Sequence, residues 1–287
     1  MKFTDKLKTK VKSDSSVLCV GLDPDPSRIP DFILHRHDDI NDAILDLCTI
    51  VIDESSDHCV AFKPNLAFFE ALGTKGIEVF EKLCAYIPQQ HIIIADAKRG
   101  DIGNTASKYR QAFFDTWKCD SVTLSPLMGI ETITPFLTDE RFGIFVLTLT
   151  SNPGATEFLM RPFEGYDMMA EFIADKLSKL NQSFPGHAGM VVGATHTEVL
   201  PNILRHYPDA TLLIPGVGSQ GGDIQILADA LRGHAGIPLV NVSRGIMYGA
   251  VPAATEESEL RSNIRNRAKS FQQSLLPITN NYLSNVN

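Results

Sequence analysis

The chain has 287 residues, 44% of them hydrophobic, which suits one large α/β domain or two small ones with a sizeable core. Its 34 acidic residues outnumber 26 basic ones, for a net charge of −8. That balance excludes a general attraction to nucleic acid or to an anionic membrane, so an anionic ligand must be held by a few local cations and backbone amides.

The N-terminal stretch MKFTDKLKTKV has no apolar run and does not read as a signal peptide. Phe3, Leu7 and Val11 sit at i, i+4 and i+8, the stripe of a short amphipathic helix. Eight short apolar or β-branched runs then recur: Val17–Leu22, Cys59–Phe62, His91–Ala95, Ser121–Leu124, Ile144–Leu149, Gly189–Val192, Thr211–Ile214 and Leu239–Val242. Several are almost continuously hydrophobic, as expected of parallel strands covered on both faces. Between them run helical stripes. Ile44, Leu47, Cys48, Val51 and Ile52 form one. Phe68, Phe69, Leu72, Val79, Phe80 and Leu83 form another, broken near Gly73–Gly76. Ser151–Gly165 is rich in turn formers and reads as a long loop. The tail after Val251 is polar, then amphipathic. No apolar run is long enough to span a bilayer, and the cytoplasm follows as the default location.

Eight β-then-α units predict a (β/α)₈ TIM barrel of the α/β class. The whole chain, 1–287, reads as a single barrel domain with an N-terminal helix and a C-terminal helical tail. A doubly wound open sheet is the rival. Polar residues at the strand ends favour the barrel: Asp23, Lys63, Asp96 with Lys98, Ser125, Ser151, Thr195, Gly216–Gly222 and Arg244. Barrel closure brings all eight ends to one face, whereas the first and last strands of an open sheet lie far apart.

The run IIIADAKRGDIGNTA places Asp96, Lys98 and Asp101 just beyond the third apolar run. Residues i and i+2 of an extended chain point the same way, so Asp96 and Lys98 could both face the barrel mouth. An ammonium among carboxylates stays charged, which suits stabilising an anion and donating a proton better than forming a Schiff base. A surface salt-bridge cluster is the alternative for the same residues. Ile214–Asp223 (IPGVGSQGGD) follows the seventh run, and VSRGIMYG with Arg244 follows the eighth. Glycine-rich backbone and a forked guanidinium at those two strands suit a phosphate cradle. A plain glycine turn with a structural arginine is the alternative.

GLDPDP, FKPNLAFFE, DAKRGDIGNTA, LTSNPGA, PGVGSQGGD and VSRGIMYG, in that order from about Val17 to Gly249, resemble the ordered motifs of the orotidine 5′-phosphate decarboxylase family. The FKPN and DAKRGDIG forms resemble its bacterial subgroup with the longer chain. The resemblance implies decarboxylation of orotidine 5′-phosphate to uridine 5′-phosphate without a cofactor or metal, in a homodimer. It implies that Lys98 protonates C6, that Asp96 sits beside the departing carboxylate, and that Lys63 bridges Asp96 and the ribose hydroxyls. Asp23 would hold a ribose hydroxyl, and Ser151 would read the pyrimidine edge. Gln220 and Arg244 would grip the phosphate, and Pro215 and Ile102 would supply apolar wall. Asp101 would complete the charge network from the neighbouring subunit, and Thr105 would reach the ribose in that partner's site. Pro64-Asn65 stands where many members carry a small residue and glycine, which leaves the helix after the second strand open.

Other enzymes of the same superfamily, magnesium-dependent decarboxylases or aldolases of sugar phosphates, share D-x-K-x-x-D. A Schiff-base aldolase and a phosphate-ligand binding protein are further alternatives. Cys19, Cys48, Cys59, Cys84 and Cys119 form no C-x-x-C pair and read as reduced thiols. His91, His187 and His234 read as structural or surface residues, and His196, near the mouth, stays open. Trp117 reads as a packing residue.

Overall fold

The structure, a computed structural model, describes residues 1–217, 223–249 and 254–285. Eight parallel strands close a barrel in chain order: β1 (Leu18–Leu22), β2 (Ala61–Pro64), β3 (Ile92–Arg99), β4 (Ser121–Leu124), β5 (Gly143–Leu149), β6 (His187–Val192), β7 (Leu212–Ile214) and β8 (Pro238–Val242). β8 returns to β1 with Leu18 opposite Val240, which excludes the open sheet. β1, β2, β4, β7 and β8 are buried at every residue, because one face fills the barrel and the other lies under helices.

Helix α1 (Phe3–Asp14) precedes the barrel; α2 (Asp31–Leu34) and α3 (Ile40–Ser55) follow β1; α4 (Leu66–Glu70) and α5 (Gly73–Tyr86) follow β2. Then come α6 (Gly103–Arg110) after β3, α7 (Met169–Ser183) after β5, α8 (Leu200–Leu204) after β6 and α9 (Ile224–Ala230) after β7. The chain ends with α10 (Arg244–Met247), α11 (Glu257–Ser274) and α12 (Leu276–Asn285). Between β4 and β5 the chain makes only the short 3₁₀ turns Ile130–Thr132 and Thr134–Leu137, so one β-then-α unit lacks a full helix.

The stripe Ile44, Leu47, Cys48, Val51 and Ile52 is buried in α3, whose N-terminus is capped by the Asp39 carboxylate accepting from the Asn41 N–H. The predicted break in the second stripe falls between α4 and α5, where Gly73 takes φ +68°. Asn65 answers the departure at Pro64-Asn65: its side chain accepts from the Ala67 N–H and caps α4. α1 closes the N-terminal end of the barrel. Phe3 lies over Gly143, where a Cβ would come within 2.4 Å of its ring, and Lys6 pairs with Asp120 at 2.7 Å. Trp117 packs edge-on against Phe80 and Phe113, as a packing residue should.

Most strand boundaries shift by one or two residues from the sequence reading, β2 among them, which runs through Lys63 to Pro64, and two shifts matter most. β3 continues past Ala95 to Arg99, because Arg99 pairs with Leu124 beyond an irregularity. Asp96 and Lys98 therefore belong to the strand's own bulged end instead of lying beyond it. β6 begins at His187, so this histidine opens a strand and not a loop.

Candidate active site

Closure brings the C-terminal strand ends to one mouth. A cavity of about 230 Å³ opens there, with Lys63, Asp96, Lys98, Thr123, Ser151 and Pro215 in its wall. Leu147, Val191 and Leu213 supply its apolar side. The structure thus brings together five of the sequence-predicted residues from β2, β3 and the segments after β5 and β7.

Asp96 is the electrostatic centre. One carboxylate oxygen accepts from Lys63 Nζ at 2.6 Å, and the other accepts from Lys98 Nζ and from the Thr123 hydroxyl, the latter at 3.1 Å. Burial alone would push this carboxyl up. Lys63 and Lys98 outweigh it and hold the group well below the usual carboxylate range. Lys63 is only 4% exposed; burial opposes its charge, but Asp96 and Asp23 more than compensate and raise its pKa. The Lys98 side chain is half-exposed and reaches into the open cavity.

Lys98 takes φ +49°, the left-handed region that side chains with a Cβ disfavour by roughly 1–2 kcal/mol. The expectation of a simple extended i, i+2 pair is therefore replaced. Asp96 and Lys98 share the mouth because β3 turns at the bulge, not because it stays extended. The N–H groups of Ala97 and Lys98 both donate to Thr123 Oγ1, at 3.0 and 2.9 Å.

Asp23 follows β1 directly. Its Oδ1 is buried and has no hydrogen-bond partner among the described residues. Its N–H faces Met247 Sδ and its carbonyl accepts from the Tyr248 hydroxyl, so the segments after β1 and β8 hold each other. Arg28 stacks over the Tyr248 ring at 4.1 Å and reinforces that contact. Ser151 is seated close to β6: a Cβ on Gly193 would come within 2.6 Å of Ser151 Cα, so only glycine permits the approach. Gly216, at φ +101°, turns the chain after β7. Arg244 opens α10 immediately after β8, at the mouth. Gln220, with Gly218, Gly221 and Gly222, lies outside the described residues.

Asp101, Ile102 and Thr105 do not join this cavity. Asp101 Oδ1 accepts from the Ile102 N–H at 2.8 Å, and no ion pair connects Asp101 to Lys98 among the described residues. Ile102 is 57% exposed and Thr105 is exposed as well. His91 and His234 are buried, and each points Nε2 at a backbone carbonyl at 2.9 Å. Burial pushes the His187 imidazole down to about 4, at the opposite end of the barrel from the mouth. His196 Nδ1 lies 3.7 Å from the Glu198 carboxylate and does not line the cavity.

Sequence reasoning missed Thr123 and the apolar side of Leu147, Val191 and Leu213. The apolar three lay in strand runs with nothing to distinguish inward from outward positions near the mouth. Thr123 carried a weak signal, a hydroxyl near the end of the run SVTL. Among the described residues, no cluster of three or more His, Cys, Asp or Glu side chains could hold a metal ion, and no helix is long and apolar enough to cross a membrane.

Residues 16–258 match the model of the orotidine 5′-phosphate decarboxylase / HUMPS family. A curated orotidine 5′-phosphate decarboxylase of Dehalococcoides mccartyi (strain CBDB1) is 38% identical over 281 residues, covering 94% of this chain and 100% of its own. One from Porphyromonas gingivalis (strain ATCC 33277) is 41% identical over 252 residues, covering 85% of this chain and 88% of its own. Among solved structures, the OMP decarboxylase of Leishmania donovani superposes with a TM-score of 0.81 at 30% identity, covering 97% of this chain and 99% of that one.

Proposed function

We propose a mechanism from one premise: this chain belongs to the orotidine 5′-phosphate decarboxylase / HUMPS family. It is a carboxy-lyase that converts orotidine 5′-phosphate to uridine 5′-phosphate, the last step of UMP synthesis. The observation that carries the mechanism is the Lys63–Asp96–Lys98 array at a cavity whose other side is apolar.

The substrate's C6 carboxylate sits beside Asp96, and its pyrimidine lies against the apolar side with Pro215. The C6–carboxyl bond breaks heterolytically: carbon dioxide leaves and the electron pair stays on C6. That pair lies in an sp² orbital in the ring plane, where the ring cannot delocalise it. Lys98 faces it with a fixed positive charge, strongest in effect when the carbanion is formed, so the stabilisation is differential and lowers the barrier. Lys98 Nζ then gives its proton to C6 and is reprotonated from solvent. Lys63 keeps Asp96 ionised and, with the orphaned Asp23 oxygen, holds the ribose hydroxyls. Ser151 reads the pyrimidine edge. Arg244, with Gln220 and the glycine-rich sequence that contains it, binds the phosphate, whose distance from C6 lets binding energy position the base.

The chain works as one barrel domain in a cytoplasmic homodimer. Asp101, Ile102 and Thr105, which do not line their own chain's cavity, complete the partner's: Asp101 closes its charge array, Thr105 meets the ribose and Ile102 adds apolar wall.

The direct test follows absorbance as purified protein is given orotidine 5′-phosphate, with excess chelator throughout. Loss of the substrate signal with stoichiometric uridine 5′-phosphate is expected. Activity that depends on a divalent ion would favour the sugar-phosphate relatives and overturn the mechanism.

A further inference from the structure

We infer that Thr123 is a positioning residue for this decarboxylation: it holds Lys98 in its left-handed conformation and aims the ammonium into the cavity before substrate arrives. The inference rests on the decarboxylase reading above and adds a residue to it.

The β3–β4 ladder is broken where the chemistry sits. Ala95 pairs with Val122, and the next pair is Arg99 with Leu124, so β3 advances four residues while β4 advances two. Asp96, Ala97 and Lys98 lie within that excess and lose the regular ladder. Thr123, between Val122 and Leu124, replaces it with one side chain. Its oxygen accepts from the Ala97 and Lys98 N–H groups at 3.0 and 2.9 Å, and its proton goes to Asp96 Oδ1 at 3.1 Å. A hydroxyl has one proton and two lone pairs, and here all three are used. Thr123 is 1% exposed, so water does not compete readily for these bonds.

Each bond constrains a different part of the machinery. The two N–H bonds fix the backbone on both sides of the peptide preceding Lys98, where φ is +49° and the backbone would otherwise relax. The third orients the same carboxylate oxygen of Asp96 that receives Lys98 Nζ. Thr123 therefore couples the direction of the lysine to the direction of its counter-ion. It makes no ion pair and transfers no proton to substrate, so it acts through Lys98 and Asp96.

A merely space-filling Thr123 would be matched by valine, which has the same shape without the hydroxyl. Serine keeps the hydroxyl and loses the methyl. The experiment compares Thr123→Val, Thr123→Ser and wild type for kcat, KM, uridine 5′-phosphate affinity and urea midpoint. Thr123→Val is expected to lose kcat by roughly 10- to 100-fold, the scale of a misplacement near 1 Å, with KM and nucleotide affinity within about threefold. Thr123→Ser is expected to keep kcat within about threefold of wild type even if its urea midpoint falls. A valine variant with kcat within about twofold of wild type overturns the inference. So does a serine variant that loses kcat tenfold, which decides the matter even where valine does not fold. An inactive wild type in the same assay would instead overturn the decarboxylase reading itself.

Discussion

Replacing Lys98 by alanine separates the two roles a half-exposed charge can have. The side chain is 49% exposed and its partner Asp96 keeps Lys63 at 2.6 Å, so deletion breaks an ion pair of the solvated kind, worth up to about 1 kcal/mol. Alanine meets the same left-handed backbone, at φ +49°, as lysine does. Stability should therefore change by about 1 kcal/mol or less, a shift of a few degrees in Tm for a chain this long. Turnover should respond on another scale. Loss of a positioned proton donor costs roughly 10²- to 10⁴-fold, and loss of a fixed charge at the developing anion roughly 10²- to 10³-fold. Together, a fall of at least roughly 10⁴-fold in kcat is expected, with uridine 5′-phosphate still bound. Steady-state absorbance assays and urea melts on the same preparation read both quantities. Lys98→Gly adds a control on the backbone: it should be about 1 kcal/mol more stable than Lys98→Ala, because glycine accepts positive φ. Near-normal turnover in Lys98→Ala would refute the assignment of the proton donor. A glycine variant less stable than the alanine variant would refute the left-handed strain.

Arg244→Ala should weaken uridine 5′-phosphate binding by roughly 10- to 100-fold, the worth of charged hydrogen bonds, while leaving uridine binding unchanged in the same calorimetric titration. Equal effects on both ligands would place the phosphate elsewhere. Mixing Lys98→Ala with Asp101→Ala protein should restore about one quarter of wild-type activity after subunit exchange, since mixed dimers then contain one intact site. No recovery despite proven exchange would assign Asp101 to its own chain's site. His187 gives a pH dependence of stability. Burial lowers its pKa from an ordinary 6.5 to about 4, so between those values the unfolded chain binds a proton that the folded chain does not. Stability is then fully present above about pH 6.5 and is lost as pH falls toward 4, by roughly 3 kcal/mol in all. Urea midpoints at pH 7.5 and 4.5 should differ less in His187→Gln than in wild type; an unchanged difference would show that other groups carry it.

The sequence by itself determined the alternating strand and helix order, which favoured the barrel, and the list of chemical groups. Buried parallel strands need near-continuous apolar runs, and eight such runs were visible, each with a polar residue at its end. Asp96, Lys63 and Lys98 were legible because charges directly at the ends of apolar runs are costly to place without a use. The resemblance of six ordered motifs then supplied the substrate. Periodicity, however, reports only local geometry. It could not show that β3 runs on through a bulge to Arg99, or that two 3₁₀ turns stand where a helix was expected between β4 and β5. Nor could it show that Asp101, Ile102 and Thr105 stay out of the lining of their own chain's cavity. The direction of Lys98 is the clearest case. Its backbone is held by the hydroxyl of Thr123, 25 residues further along the chain and one strand away, and only the pairing of β3 with β4 puts the two within 2.9 Å. The lysine was written in the sequence, and its orientation was decided by a neighbour that only the tertiary structure supplies.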